Sequence, residues 1–202
     1  MRSCATAVLL ITLFLLPAVA AAGEDEEYDW EAVYTREVQM LVTTPGSSRT
    51  VAAGLLNPAM WSALGESGFY LGFAGDAERY GDTYDATIVR ASKPSEFFGY
   101  GYGYRRFGND ALDEHVDEQT FGISIGPRGS GVGASYTWNN DDDNVLGRHE
   151  ALTWGMAGRK GPFALSWFRH YDLEVEDSWT QVDAAVRLFG SRVTLFADGV
   201  SR

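Results

Sequence analysis

The sequence contains a single cysteine, Cys4, which lies near the start of the chain. A disulfide framework is therefore excluded, because no second cysteine is present to form one. A lipid-modified cysteine would follow the apolar run of a signal peptide. Cys4 precedes the apolar run of this chain, residues 5–16, so lipoprotein anchoring is not expected. An exported domain without disulfides must gain stability from core packing, closed hydrogen bonding or membrane insertion.

Positive charge is also scarce in this chain. There are 16 Lys and Arg residues against 28 Asp and Glu residues, which gives a net charge of −12, and the only lysines are Lys93 and Lys160. Binding to nucleic acid phosphates requires a basic surface, so nucleic acid is excluded as a partner. The 202 residues, of which 45% are hydrophobic and 13% aromatic, predict one folded domain.

No apolar run is long enough to cross a bilayer as a helix, since the longest, residues 5–16, is shorter than the ~20 residues required. Arg2 precedes this run, and Pro17 with small residues such as Ala20 follows it, which is typical of a secretory signal peptide. We therefore expect a cleaved signal peptide over residues 1–22, an acidic segment with a short helix over 23–66, and a β-barrel over 67–202.

From Gly68 onward the hydrophobic pattern repeats every two residues, which indicates half-buried strands. Before it, residues 36–43 are a candidate short strand, and residues 58–64 are predicted to form a short helix capped by Asn57. Nine strands are predicted downstream, at 68–75, 83–91, 96–105, 118–126, 131–139, 148–158, 162–170, 178–188 and 192–198.

The two faces of these strands differ in the same way throughout. In 118–126, Phe121 and Ile123 share one face and Gly122 and Ser124 the other. A soluble sandwich would carry frequent charges on its second face, whereas here that face is mostly Gly, Ser, Thr and Ala. The pattern predicts an all-β, antiparallel up-and-down β-barrel of about 8–10 visible strands, either complete or part of a larger barrel, with large side chains facing lipid.

Glycine alternates with tyrosine in Phe98-Gly99-Tyr100-Gly101-Tyr102-Gly103-Tyr104. Glycine weakens a strand interior, so three on one face indicate close backbone approach, strong curvature or space inside a barrel. The predicted loops alternate between long and short, as in outer-membrane barrels, and the long ones are acidic while each short turn contains Lys or Arg. We expect the short turns to face the periplasm.

Catalytic and metal-binding motifs have poor matches. His115, His149 and His170 lack metal-ligand spacing, and the acidic stretch 139–144 lacks the glycine and helices of an EF-hand. Residues 122–126 match the letters Gly-x-Ser-x-Gly but lie in a predicted strand instead of a strand-to-helix turn. The sequence therefore predicts no enzyme, metal or cofactor.

Three polar residues are candidates for contacting a ligand or lining the lumen. Asp183 and Arg187 share the small-residue face of one predicted strand, where they could pair and either plug the lumen or line a path. Asn57 is the third candidate, beside its simpler interpretation as a helix cap.

Asn57-Pro58-Ala59, preceded by Ser48-Arg49 and followed by barrel-like strands, resembles the start of the long-chain fatty-acid transporter superfamily. In those proteins a signal peptide and a short Asn-Pro-Ala segment lead into an outer-membrane barrel. Residues 186–198 resemble a strand of the barrel-like region found ahead of some signal peptide peptidase A proteins. The first resemblance implies transport of a hydrophobic solute, and the second a non-catalytic barrel region of an envelope peptidase system.

The function expected from the sequence is that of an outer-membrane β-barrel in a Gram-negative bacterium. It would transport or bind a small or hydrophobic solute, or serve as a structural membrane component, with the lipid bilayer and the outer-membrane assembly machinery as partners. The alternatives are a soluble periplasmic β-sandwich acting as a binding or scaffold module, and the barrel region of a peptidase system. Outward aromatic and aliphatic residues on nearly every strand favour the membrane.

Overall fold

The fold is described from a computed structural model that defines residues 41, 44–46, 48–76, 83–93, 95–109, 114–140, 149–188 and 193–202. The predicted signal peptide and most of the candidate strand at 36–43 lie outside these residues. The strands are β1 (Gly68–Asp76), β2 (Thr83–Ser92), β3 (Phe98–Asn109), β4 (Glu114–Ile125), β5 (Ser130–Asn139), β6 (Ala151–Lys160), β7 (Phe163–Asp172), β8 (Ser178–Leu188) and β9 (Val193–Ser201).

All nine strands belong to one antiparallel sheet in which each strand pairs with the next along the chain. The order β1 to β9 is an up-and-down meander, so the predicted all-β antiparallel fold is confirmed, with nine strands in the described part of the chain. Among the described residues β1 and β9 are the edges of this sheet and are not paired with each other.

The sheet has two chemically different faces that keep their identity through every pairing. On the outer face, Phe69 pairs with Arg90 and Phe121 with Tyr136, so large side chains lie side by side across strands. On the inner face the residues are mostly Gly, Ala, Ser and Thr. Exposed outer-face residues are Phe69, Leu71, Phe73, Ile88, Tyr100, Tyr102, Phe121, Ile123, Ile125, Val132, Tyr136, Leu152, Met156, Phe163, Leu165, Leu188, Val193 and Leu195.

The ends of β3 and β4 differ from the prediction, which placed residues 107–117 in a loop. The pairing of these strands extends to Asn109 and Glu114. Polar residues hold this extension together, since Arg106 donates to both carboxylate oxygens of Asp117 at 2.6 and 2.7 Å and the Tyr104 hydroxyl donates to the same group. The polar sequence of these strand ends indicated a loop, because the partners of polar side chains such as Arg106 lie on the neighbouring strand.

Two short helices precede the sheet, α1 (Ala53–Leu56) and α2 (Met60–Ala63). The predicted single helix over 58–64 is wrong in extent, because Asn57 adopts an extended conformation between the two helices. Residues 48–64, which we call the inner segment, lie against the inner face, and α2 contacts β3, β4, β5 and β6. No helix in the described part of the chain has the length and apolar character needed to cross a bilayer.

Candidate functional site

Trp61 of the inner segment occupies a slot formed by glycines on the inner face. Its side chain is fully buried, and its indole nitrogen donates to the Val51 carbonyl at 3.2 Å. A Cβ added at Gly101 of β3 or Gly122 of β4 would overlap the indole ring, and one at Gly99 would lie 2.9 Å from the Trp61 backbone. Close approach of the inner segment therefore accounts for the glycine row predicted from the sequence.

Asn57 connects the inner segment to the next pair of strands. It is fully buried, and its amide nitrogen donates to the carbonyls of Met156 on β6 at 3.1 Å and Trp167 on β7 at 3.3 Å. Its side-chain oxygen accepts from the Ala59 amide at 3.2 Å, in the turn before α2, which begins at Met60 without a side-chain cap. Since both ends of the amide are bonded to protein, Asn57 fixes the segment in place and is not open to a ligand.

Glycines on β5 and β6 admit the same segment. A Cβ at Gly133 would lie 2.7 Å from the Ala59 amide nitrogen, and one at Gly155 would lie 2.5 Å from the Asn57 side-chain oxygen. The inner face of four consecutive strands is thus shaped to fit residues 57–62. This part of the interior is filled by the protein itself and offers no space for a solute.

A turn before the inner segment is held by polar side chains of the inner face. Asp183 of β8, which is 1% exposed, accepts from the Gly46 amide at 3.3 Å and from the Ser166 hydroxyl. Arg159 of β6 donates from Nε to the Gly46 carbonyl at 2.9 Å and from Nη2 to the Ser48 carbonyl. These charge-assisted bonds anchor the start of the segment to β6, β7 and β8.

Asp183 and Arg187 were predicted to pair on one face of this strand, where four residues along the chain span about 13 Å. The Asp183 carboxylate bonds to Ser166 and Gly46, as described above, while Arg187 lies at the end of β8 towards the short turn. Of these two residues, Asp183 holds the turn at Gly46 against the inner face of the sheet, as the predicted plugging role requires.

A second polar group lies inside the sheet towards the long loops. Arg105 of β3, which is 2% exposed, forms ion pairs with Asp85 at 2.7 Å and Glu118 at 3.8 Å. Its guanidinium also lies 4.4 Å from the centre of the Phe107 ring. A charge can stay in this interior because two carboxylates and an aromatic face surround it.

An aromatic cluster covers the inner face of β7 and β8 near the same end. Phe168 and Trp179 are buried and meet edge to face with ring centres 5.3 Å apart, and Leu56 of α1 packs with them. His170 stacks on Trp179 and bonds through Nδ1 to the Thr153 hydroxyl at 3.0 Å. His170 was predicted to lie in or beside a long loop, whereas it belongs to this packed interior.

The other two histidines occupy different places. His115 is exposed on β4, and His149 lies at the rim between the carboxylates of Asp172 at 3.6 Å and Glu174 at 3.0 Å. The Gly-x-Ser-x-Gly residues lie within β4 and the turn after it, and the Ser124 hydroxyl donates to the Gly99 carbonyl. That hydrogen bond gives Ser124 a structural role in strand pairing.

An open cleft of about 940 Å³ lies at the short-turn ends of β6, β7, β8 and β9. Its lining is mostly apolar, with Phe163, Leu165, Leu195 and several alanines. Arg128, Arg159 and Lys160 also line it. The cleft combines space for a hydrocarbon group with cations that attract a negative charge.

Trp61 and Arg159 were missed as members of the interior because their partners are distant in sequence. The glycines that alternate along β3 were the sequence feature that indicated this interior, because they predict close approach of another group to one face of the sheet. No known protein family, curated protein or solved structure matches this chain.

Proposed function

We propose that this chain is an outer-membrane β-barrel protein whose interior is partly plugged by its own inner segment and which binds or passes a small or hydrophobic solute. The observation that carries the proposal is the outer face of the sheet. On it, large apolar side chains are solvent-exposed on every strand, including Phe73 at 78%, Ile125 at 58% and Leu195 at 56%. Contiguous apolar surface of this extent is rare on a monomeric soluble protein and marks contact with a membrane or a partner.

The strand lengths fit the same interpretation. A tilted transmembrane strand needs about 9–11 residues to cross the hydrocarbon core. The strands of this sheet contain 9–12 residues, with β1 and β9 at 9 and β3 and β4 at 12. The additional residues of β3 and β4 include the polar pair Arg106 and Asp117. Such polar pairs beyond an apolar band are expected where strands leave a bilayer.

A soluble β-sandwich is disfavoured by the topology. A sandwich buries its large apolar residues between two sheets, whereas all nine strands here belong to one sheet and the inner segment covers its small-residue face. The face that a second sheet would have to cover is the outer one. In a bilayer, lipid covers that face and no second sheet is required.

Membrane insertion also requires the two sheet edges to be paired, because an unpaired backbone edge is not tolerated in hydrocarbon. Each strand is antiparallel to the next, and β9 comes eight strands after β1. The two edge strands therefore run in the same direction. Direct closure would form a parallel seam, whereas an odd number of further strands would close the barrel in antiparallel fashion. The second closure would give the even strand number that is usual for bacterial barrels.

The solute-binding part of the proposal rests on the apolar cleft at β6–β9. The inner segment covers the inner face at β3 to β6. The cleft lies at the short-turn ends of β6 to β9, and its lining combines outer-face residues such as Leu165 with inner-face residues such as Ala164. The resemblance of Asn57-Pro58-Ala59 to fatty-acid transporters supports a hydrophobic solute over an ion. A purely structural role in the membrane would leave this cleft without an assigned use.

Membrane location and closure are tested together by fractionating cells that express the chain and by electrophoresis of the purified protein with and without boiling. We expect the protein in the outer-membrane fraction and a faster-migrating band in the unboiled sample, because closed barrels resist unfolding by detergent at room temperature. Recovery from the soluble periplasm, with the same mobility before and after boiling, would contradict the proposal.

A further inference from the structure

The short-turn rim of the sheet has an uneven charge distribution. Between β4 and β9 its described residues include the cations Arg128, Arg159, Lys160 and Arg187 and no acidic residue. The acidic residues of this rim, Glu66 and Glu96, lie on the side of β1 to β3. In a chain of net charge −12, half of one rim is therefore exclusively cationic in its described part.

Two of these cations are available to a partner. Arg128 and Lys160 are exposed, and neither forms an ion pair within the described part of the chain. The stem of Arg128 lies against Gly65, directly after the inner segment, where an added Cβ would be 2.5 Å from its Cγ. Lys160 is on the outer face beside Phe163, where its stem can lie along apolar surface and its ammonium group can reach the headgroup region.

A neighbouring cation is already engaged with the protein. The Lys93 ammonium donates to the Ser62 carbonyl at 2.8 Å. The pKa of Lys93 is lowered, first by burial and then by the nearby charge of Arg128, against the opposite effect of Glu96. Positive charge is thus concentrated around Arg128.

The apolar cleft opens beside the same cations. Arg128 and Lys160 line it together with Phe163, Leu165 and Leu195. A ligand that satisfies both parts of this lining carries a negative group joined to a hydrocarbon chain. A free inorganic anion would leave the apolar part unused, and a neutral hydrocarbon would leave the cations unused.

We propose that Arg128 and Lys160 bind the phosphate of an anionic phospholipid from the leaflet at the short-turn rim, with one acyl chain in the cleft at β6–β9. This inference rests on the proposed membrane location and specifies the partner of the cleft. Basic pockets at a membrane surface are an established way for proteins to select anionic lipids. The lipid would serve as a bound partner of the barrel wall at this rim.

The test uses the full mature chain folded into vesicles of phosphatidylcholine, either alone or mixed with phosphatidylglycerol. After transfer to detergent, native mass spectrometry measures which lipid is retained on the protein. We expect phosphatidylglycerol to be retained in preference to phosphatidylcholine, with the preference falling about fivefold for each cation removed in Arg128→Gln and Lys160→Gln. High salt should weaken the preference in the same direction, because these cations are exposed.

Arg202→Gln is the matched control, because it removes one exposed cation at the other end of the strands, where Arg202 pairs with Asp177 at 2.8 Å. We expect this variant to keep the lipid preference. Equal retention of both lipids by a protein that still shows a heat-dependent mobility shift would overturn the inference and leave the membrane proposal standing. Competition by inorganic phosphate as effective as that by the lipid would also overturn it, whereas absence of the mobility shift in either vesicle would contradict the membrane proposal itself.

Discussion

Met156→Lys should destabilise the folded protein in a bilayer by about 2–4 kcal/mol, the cost of a lysine on the lipid-facing side near the membrane midplane. Met156 lies near the middle of β6 on the outer face, where it is 43% exposed and pairs with Val132 and Trp167. In water a half-exposed methionine is easily replaced by lysine, and surface substitutions usually change stability by about 0.5 kcal/mol or less. The expected loss therefore comes from the surrounding lipid.

Leu173→Lys provides the matched control for this substitution. Leu173 is 41% exposed, close to the value for Met156, but it lies in the turn between β7 and β8 at the long-loop rim. Urea unfolding of both variants folded into vesicles gives the two free energies. A large loss for Met156→Lys with little change for Leu173→Lys is expected, and equal small changes would mean that the outer face contacts water.

Gly101→Val should displace Trp61 from its slot and cost about 3 kcal/mol, near the upper part of the usual range for overpacking. The added Cβ would overlap the indole ring, which contacts two strands and the inner segment and has no open space to move into. We expect the inner segment to loosen from the sheet at Trp61 while the strands stay paired. The bonds at Asn57, and those at Gly46 in the turn before the segment, would still hold it to the sheet.

Gly158→Val is the control for this prediction, because a Cβ at Gly158 meets no atom within 4 Å. Both substitutions add the same β-branched residue to a strand, at Gly101 against the indole of Trp61 and at Gly158 into open space. Limited digestion with trypsin reports the outcome through cleavage after Arg49, at the start of the inner segment. Faster cleavage in Gly101→Val than in Gly158→Val is expected, and equal rates would contradict the role of the glycine slot.

The strands were predictable from the sequence because large outer-face residues alternate with small inner-face residues. Residues such as Phe121 and Ile123 are large, and Gly122 and Ser124 between them are small, so the period of two is visible in single segments. The strand ends at Arg106 and Asp117 were not predictable, because a polar pair across two strands looks like two stretches of loop when the chain is considered linearly.

The interior was predictable only in outline. The glycines of β3 showed that one face needs close approach, but the approaching residue, Trp61, is some forty positions earlier and carries no signature of its own. Asn57 was predicted as a helix cap and accepts a bond from Ala59 in the turn before α2, whereas its bonds to the carbonyls of Met156 and Trp167 depend on a tertiary contact. The bonds that Asp183 accepts from Gly46 and Ser166 were not predictable, because spacing along a strand does not reveal which neighbouring chain segment approaches.

Labelling of introduced cysteines tests most directly whether the outer face contacts lipid. In a Cys4→Ser background, Leu165→Cys places a thiol on the outer face of β7, and Val175→Cys places one in the turn after β7; the original side chains are 44% and 41% exposed. With the protein folded in vesicles, a membrane-impermeant maleimide should label position 175 rapidly and leave position 165 unlabelled until detergent and urea unfold the chain. Equal, rapid labelling at both positions in the folded protein would contradict the membrane assignment.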